Sequence, residues 1–500
     1  MSQDEPRTLG RRIATSGAYM VTGRLIMRFI SIISTLILVR LLVPEDFGIV
    51  GLAAAIFTVA DVITNTGYGQ LLIRRATADR VAYDTAFTLN LLRCAILAGL
   101  VALSAPLQAW AFGEPRIGPV LLVVAATVAL DGLASIGLAR LERELRFDLV
   151  FRYQLASRIL SFLLTILLAV VLGNYWCLVL GNLFAKLLVI PYSYVLAPHR
   201  PRLTLALWRE FFHFSKWMFA FNLCSAVDGQ APNVALGAAA DVTAVGRFQT
   251  AYQIAAVPVT DLAVPLRAPL YAGYAQVKDD AARLSTMYRD TLAVTAAVTV
   301  PLSVGIALVA PEVERLALGP NWVGVAALIV LCALFALAEM IGHFAFSVFI
   351  LRDRLRTLVV TFGGLIALRL PLVTVGVLAG GTEGLLLALI ASALFNAVVW
   401  QWRAARLLGH RLRDAGAAVL RPALSAAVMT AAVLALRGVL PPDAPGPWDD
   451  AWRLPVLAMA GAVTYLMVNL ALWRAAGAPP GPERLALGMV VGRWRAWRAA

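Results

Sequence analysis

Arg24 and Arg28 stand four residues apart inside an apolar run, and that spacing puts both guanidinium groups on one face of a helix. Asp61, Arg93, Asp131, Arg158 and Lys186 lie within the five apolar runs that follow. Lys216, Asp228, Asp261, Arg267, Glu339, His343 and Arg369 do the same further along. An ionisable group in hydrocarbon is costly, so it faces a watery cavity or a partner, or snorkels to the interface from near an end, as Lys216 and Arg267 are placed to do. For Arg24, Arg28 and Arg369 the cavity reading is the stronger one. For Arg93, Arg158, Lys186 and Asp131 it competes evenly with structural ion pairs between helices. In the first half Arg24, Arg28, Arg93, Arg158 and Lys186 outnumber Asp61 and Asp131. Such a surplus suits an anionic substrate, because guanidinium groups grip phosphate at two points and keep their charge when buried. Asp61, Asp131, Glu339 and His343 are the candidates for ion coupling. Glu339 and His343 are again four apart, and a structural use of that pair is the competing reading.

These residues need long apolar helices to hold them. Of the 500 residues 60% are hydrophobic and 14% charged, and the mean hydropathy is +0.79. A soluble chain is excluded. Apolar runs long enough to span a bilayer lie near 14–41, 48–71, 83–109, 117–139, 149–173, 175–197, 211–236, 245–275, 284–309, 322–350, 357–379, 383–405, 416–438 and 454–474. This predicts an all-α polytopic membrane protein of about fourteen transmembrane helices. Cys94, Cys177, Cys224 and Cys332 each stand alone in an apolar run, so no metal site is expected and no cofactor either.

The net charge of +14 would point to nucleic acid in a soluble protein. Here the arginines sit in every second loop, as in Arg74-Arg75, Arg140 to Arg146, Arg200 to Arg209 and Arg352 to Arg356. The intervening loops are acidic or neutral, as at Glu45-Asp46, Glu114, Asp241, Glu312 and Asp449-Asp450. That alternation places both termini in the cytoplasm and removes nucleic acid as a partner. After Pro482 the tail mixes Arg493, Trp494, Arg495, Trp497 and Arg498 with apolar residues, which reads as a helix lying on the inner leaflet.

A shift of 198 residues lays Gly48 on Gly246 and superimposes helix, turn, glycine and helix. Two such copies imply two pseudo-symmetric six-helix lobes around a central cleft, with two further helices at the C-terminus. The predicted boundaries are 1–197 and 198–405 for the lobes, 406–474 for the extra helices and 475–500 for a basic tail. Pro258, Pro265 and Pro269 must bend the eighth span, which makes it a candidate hinge or a static kink.

Between the first two spans runs Arg40-Leu-Leu-Val-Pro44-Glu-Asp46-Phe-Gly48, followed by Gly67-Tyr-Gly69 and Ile73-Arg74-Arg75. The break at Pro44 ends one helix, and the next is expected to depart from Gly48. These residues resemble the N-terminal signature of Wzx-type polysaccharide and oligosaccharide flippases. These form the polysaccharide transport family of the multidrug/oligosaccharidyl-lipid/polysaccharide exporter superfamily. Ala251-Tyr-Gln-Ile254 before Pro258 and Leu318-Gly-Pro-Asn-Trp322 are similar to later family features, and the resemblance covers roughly residues 10–410. It departs at Pro232 and Leu236-Gly-Ala238, where the family often has an acid before Ile-Gly-Arg, and Asp228 stands a turn earlier.

The resemblance implies a flippase of the bacterial inner membrane that carries polyprenyl-pyrophosphate-linked oligosaccharide by alternating access, for exopolysaccharide, capsule or O-antigen synthesis. Membrane lipid and a polysaccharide polymerase or export machinery would be its partners. An ion-coupled small-molecule or multidrug exporter is the alternative, and it would favour acidic over basic cavity residues. A membrane enzyme such as a glycan polymerase would need a large outer loop or a cytoplasmic carboxylate motif, and the sequence has neither.

Overall fold

The computed structural model describes residues 23, 26–64, 80–144, 146–211, 216–257, 259, 273–274, 276–277, 279–440 and 447–477. Arg24, Gly67, Gly69, Pro258, Pro265, Pro269 and the expected tail helix lie outside the described residues. Among the described residues the regular structure is helical, with no strand. The first half supplies α1 (26–41), α2 (Pro44–Thr64), α3 (Arg80–Ala111), α4 (Ile117–Asp131), α5 (Phe147–Leu172), α6 (Trp176–Leu196), α7 (Lys216–Ala239) and α8 (Val242–Ala255). The second supplies α9 (Ala281–Leu308), α10 (Val325–Leu351), the two arms α11 and α12 of the segment Leu355–Leu408, α13 (Leu412–Val439) and α14 (Pro447–Ala475). Each matches one expected span.

Nine helical segments among the described residues are long and apolar enough to cross a membrane, Leu355–Leu408 counting once. Their outward residues are apolar too: Leu103, Trp110, Val195, Leu378 and Val439 are largely exposed. Helices satisfy their own backbone groups and can turn such faces to lipid. The chain is a multi-pass membrane protein.

Two junctions show why the chain folds where it does. The sequence led us to expect α2 to start at Gly48, yet it starts at Pro44. Proline is tolerated in the first turn because its missing N–H would have no helical partner there. The Asp46 carboxylate reaches back to accept the Val43 N–H at 3.1 Å, so the acid caps the helix that the proline opens. Further on, Leu355–Leu408 reverses at Gly380 and Gly381, the latter at φ 58°. Only glycine adopts that conformation without strain. The reversal lays α11 against α12, and Gly376 and Gly384 meet so closely that a Cβ on either would overlap the other's carbonyl.

The chain divides into two compact units, residues 1–246 and 247–500. In the first, Ile49, Leu52, Leu97, Val101, Leu121 and Val128 form a core between α2, α3 and α4. Here the starts of α2 and α8 cross reciprocally. A Cβ on Gly48 would overlap the Val242 carbonyl, and one on Gly246 would overlap the Pro44 carbonyl. In the second, Met429, Val433, Leu457 and Tyr465 bring α13 and α14 onto α9, where the Tyr465 hydroxyl donates to the Ala297 carbonyl at 2.8 Å.

Candidate functional site: a charged belt in the first unit

Six helices of the first unit bring ionisable side chains together. Helices α1 and α5 lie side by side and run in the same direction. Gly23 abuts the Phe151 ring, and eight residues on Ser31 Oγ accepts a hydrogen bond from Arg158 Nη2. Ser31 is itself anchored, donating to the Met27 carbonyl at 2.8 Å. Arg28, one turn before Ser31, interacts with Arg158 as a like charge. Arg24, a further turn back, belongs to the part of the chain that is not described.

The other cations of the belt bond acids. Arg93 Nη1 on α3 donates to Asp61 Oδ1 on α2 at 2.7 Å. Lys186 on α6 bonds the Asp131 carboxylate at the end of α4. Between the two pairs lies Cys94, within electrostatic reach of Arg93, Asp61 and Asp131. Gly132 packs so closely on it that a Cβ there would stand 3.0 Å from the Cys94 Cβ. Tyr153 of α5 also feels the Asp131 charge, and it stands on the helix that carries Arg158. Among the described residues the belt holds, by formal charge, four cations, Arg28, Arg93, Arg158 and Lys186, and two acids, Asp61 and Asp131. Like charges repel, and an arriving anion that contacts both Arg28 and Arg158 relieves that repulsion.

In the second unit Arg369 and Glu339 belong to a hydrogen-bonded network. Arg369 on α11, 3% exposed, donates Nη1 to Glu339 Oε1 on α10 at 2.8 Å. Its Nε donates to Ser392 Oγ on α12 at 3.1 Å, and its guanidinium lies over the Phe335 ring at 5.8 Å. With its amide oriented to match its neighbours, Asn396 accepts from Arg369 Nη2 at 3.0 Å. Glu339 is thus held by Arg369, and the His343 ring packs 4.8 Å from that of Phe346. Ser31, Ser392 and Asn396 were not picked out from the sequence. Their only signal was helical spacing, Ser31 one turn after Arg28 and Ser392 one turn before Asn396.

The acidic turn has a structural use. Buried Asp46, besides capping α2, accepts the Tyr175 N–H at 2.8 Å and so ties the α1–α2 turn to the start of α6. Arg40 is exposed at the end of α1. Arg116 joins Glu45 to Glu114, contacting Glu114 Oε2 at 2.7 Å. Hydrogen bonding to Arg116 holds the Glu114 carboxyl below its usual range, and the same contacts push the Arg116 guanidinium up. Among the described residues no group of His, Cys, Asp and Glu is arranged to hold a metal ion.

Residues 37–327 match the family described as "Polysaccharide biosynthesis protein". The succinoglycan biosynthesis transport protein ExoT of Rhizobium meliloti (strain 1021) is 23% identical over 305 residues, 60% of this chain and 61% of that one. The lipopolysaccharide biosynthesis protein WzxC of Escherichia coli (strain K12) is 20% identical over 343 residues, 67% and 69% of the two chains. Among solved structures, the lipid II flippase MurJ in an inward closed conformation superimposes with a TM-score of 0.71 at 14% identity, covering 91% of this chain and 98% of that one. At that identity the likeness concerns the fold.

Proposed function

Because this chain belongs to the polysaccharide biosynthesis protein family, matched over more than half its length, we propose that it is a flippase for lipid-linked oligosaccharide. In this reading it moves polyprenyl-pyrophosphate-linked sugar across the bacterial inner membrane by alternating access, and makes or breaks no covalent bond. Both termini lie in the cytoplasm, where the basic loops fall under the positive-inside rule. The product serves exopolysaccharide, capsule or O-antigen synthesis.

The observation that carries the proposal is that Arg158 on α5 bonds Ser31 on α1, one turn after Arg28. Helix packing and this hydrogen bond bring the exposed Arg158 side chain to within one turn of Arg28 along α1. A pyrophosphate offers several acceptor oxygens and more than one negative charge, and two guanidinium forks match it. The prenyl tail stays in lipid while the sugar follows an aqueous path. Arg93 and Lys186 stand as reserve ligands. Either can exchange its carboxylate for a phosphate oxygen, and the Asp61 or Asp131 it releases then becomes a site for a coupling cation.

The test measures transport and membrane abundance together for Arg28→Ala, Arg158→Ala, the double variant, and the corresponding lysines. Losing one charge-assisted contact costs about 1.5–3 kcal/mol, roughly tenfold to a hundredfold in apparent affinity. Lysine should rescue poorly because it cannot make the planar two-point contact. Normal transport by an abundant double-alanine protein overturns the assignment.

A further inference from the structure

At one end of the first unit, away from the belt, lies a cavity of about 730 Å³. Three pieces of chain frame it: the start of α3, the short helix Gly137–Arg143, and the segment that leaves α6. Arg80, Arg140, Arg143 and Arg200 line it, with Glu144 as the acid. Neither Arg28, Asp61, Arg93, Asp131, Arg158 nor Lys186 lines it.

The walls are built rather than loosely draped. Asp84, its side chain 5% exposed, bonds His199 Nε2 at 2.9 Å and accepts the Arg202 N–H at 3.1 Å. Thr88 Oγ1 accepts the Thr204 N–H at 3.0 Å, and Ser135 Oγ donates to the Ala197 carbonyl at 2.7 Å. Arg80 Nη2 donates to the Arg200 carbonyl at 3.4 Å. The segment after α6 is therefore fastened to α3 and to the short helix from several sides. Buried Asp84 also pairs with Arg80 Nε at 3.8 Å, and Arg140, Arg143 and Arg200 line the cavity beside it. No lysine is among the lining residues, and Tyr83 and Pro198 add apolar surface.

Arginines in a cavity of this size at the ends of membrane helices fit a phosphate that arrives by way of the bilayer. The second unit repeats the theme. A cavity of about 350 Å³ at the ends of α10, α11 and α12 is lined by Arg354, Arg403 and Arg406, with Arg406 3.9 Å over the Trp402 ring. The ring pair Tyr83–His199 likewise recurs as Tyr288–His410, at 6.2 and 5.9 Å.

We propose that the larger cavity binds the phosphate of a membrane-resident phosphate ester, a phospholipid head group or the pyrophosphate of a polyprenyl carrier, with Arg140 and Arg200 as principal contacts. Glu144 restrains the site: its Oε1 takes the Arg140 Nε–H at 2.6 Å and competes with the ligand for that guanidinium. The cavity stands on its own geometry and does not depend on the flippase reading.

The test uses the delipidated full-length protein in detergent and native mass spectrometry, with phosphatidylglycerol, polyprenyl pyrophosphate or phosphatidylcholine added. The polyprenyl pyrophosphate arm is run in the Arg28→Ala, Arg158→Ala background, so that the belt does not contribute. We expect phosphatidylglycerol, polyprenyl pyrophosphate or both to be retained over phosphatidylcholine and displaced by inorganic pyrophosphate. Retention of only one of them identifies the source. Arg140→Gln with Arg200→Gln should lower retention about tenfold or more, the scale of a lost charge-assisted contact. Glu144→Gln should raise it, an outcome that a merely structural pocket does not produce. Unchanged retention in the folded double variant overturns the proposal. Should that variant fail to fold, Glu144→Gln decides alone, and unchanged or weaker retention there overturns it equally.

Discussion

Arg369 gives Nη1 to Glu339 and Nε to Ser392, and it lies over the Phe335 ring, all while 3% exposed. Truncating it strips the Glu339 carboxylate, 16% exposed, of its Arg369 contact, and breaking a buried pair in that way costs about 3–5 kcal/mol. Arg369→Ala should therefore lower membrane abundance and the unfolding temperature of the purified protein. Removing both charges with Arg369→Leu and Glu339→Leu should recover much of the loss, because no lone charge remains. Transport per folded molecule in that double variant then tests whether Arg369 also touches substrate, and preserved transport makes it a lock between α10, α11 and α12. In the turn between α3 and α4 the acid Glu114 makes a prediction about pH. Arg116 holds its carboxyl below the ordinary 4.5. Its folded-state pKa is thus depressed, so its contribution is full above the ordinary value of 4.5 and is lost as pH falls through the folded pKa. Glu114→Gln should lower the unfolding temperature at neutral pH and flatten its decline below about pH 4.5. An acid decline identical to that of the unaltered protein would remove Glu114 from the account.

At the level of helices, glycine decides how closely two backbones approach. Gly48 and Gly246 are the one place where the starts of α2 and α8 cross, and neither has room for a Cβ. Gly48→Leu must push the two helix starts apart. Overpacking of this kind costs about 1–3 kcal/mol when neighbours yield, and here the obstacle is backbone. We expect low membrane abundance, with Gly48→Ala intermediate. A Gly48→Leu protein that is fully abundant but inactive would contradict this, and would move the glycine from folding to transport. The hairpin of α11 and α12 offers a graded comparison. Gly376→Leu wedges two arms apart, whereas Gly381→Ala meets nothing within 4 Å and only bears the strain of φ 58°. With ψ at −138° this is a backbone conformation that glycine alone adopts readily, and it costs an alanine about 1–3 kcal/mol, so Gly376→Leu should be the more damaging when unfolding temperatures are compared.

For the molecule as a whole, the arrangement predicts which ends of the helices share a side of the membrane. Cysteines introduced near Arg140 and Arg354 should be labelled only from the cytoplasm, and those near Asp46 and Asp449 only from outside. The native thiols need attention first. Cys94, Cys177 and Cys332 are buried and Cys224 is half-buried, so Cys224 is the one to replace before labelling. Labelling of Asp46 and Arg140 positions from the same side would end this topology. The cavity at Arg140 and Arg200 would then face the outside, while its chemistry toward phosphate would stand.

The class of protein, its helices and their order were legible in the sequence alone. Crossing a bilayer is a local requirement on length and hydropathy, written along the chain one stretch at a time. One close contact was foreshadowed too. Laying residue 48 on residue 246 by pattern matched the two glycines that the fold packs reciprocally with Pro44 and Val242. Helix starts were less so, because capping by Asp46 let Pro44 begin a helix that the pattern alone began at Gly48. What only the tertiary structure decided is which charges meet. Arg93 reaches an acid 32 residues away, Lys186 one 55 away and Arg369 one 30 away, while Arg158 reaches across 127 residues to Ser31. Nothing in the spacing distinguishes Arg158, beside Arg28, from Lys186, bonded to Asp131. The difference lies in how each helix is rotated about its axis and which helix stands next to it. Those are set by the packing of apolar side chains and glycines over the whole unit, which no single stretch of sequence contains.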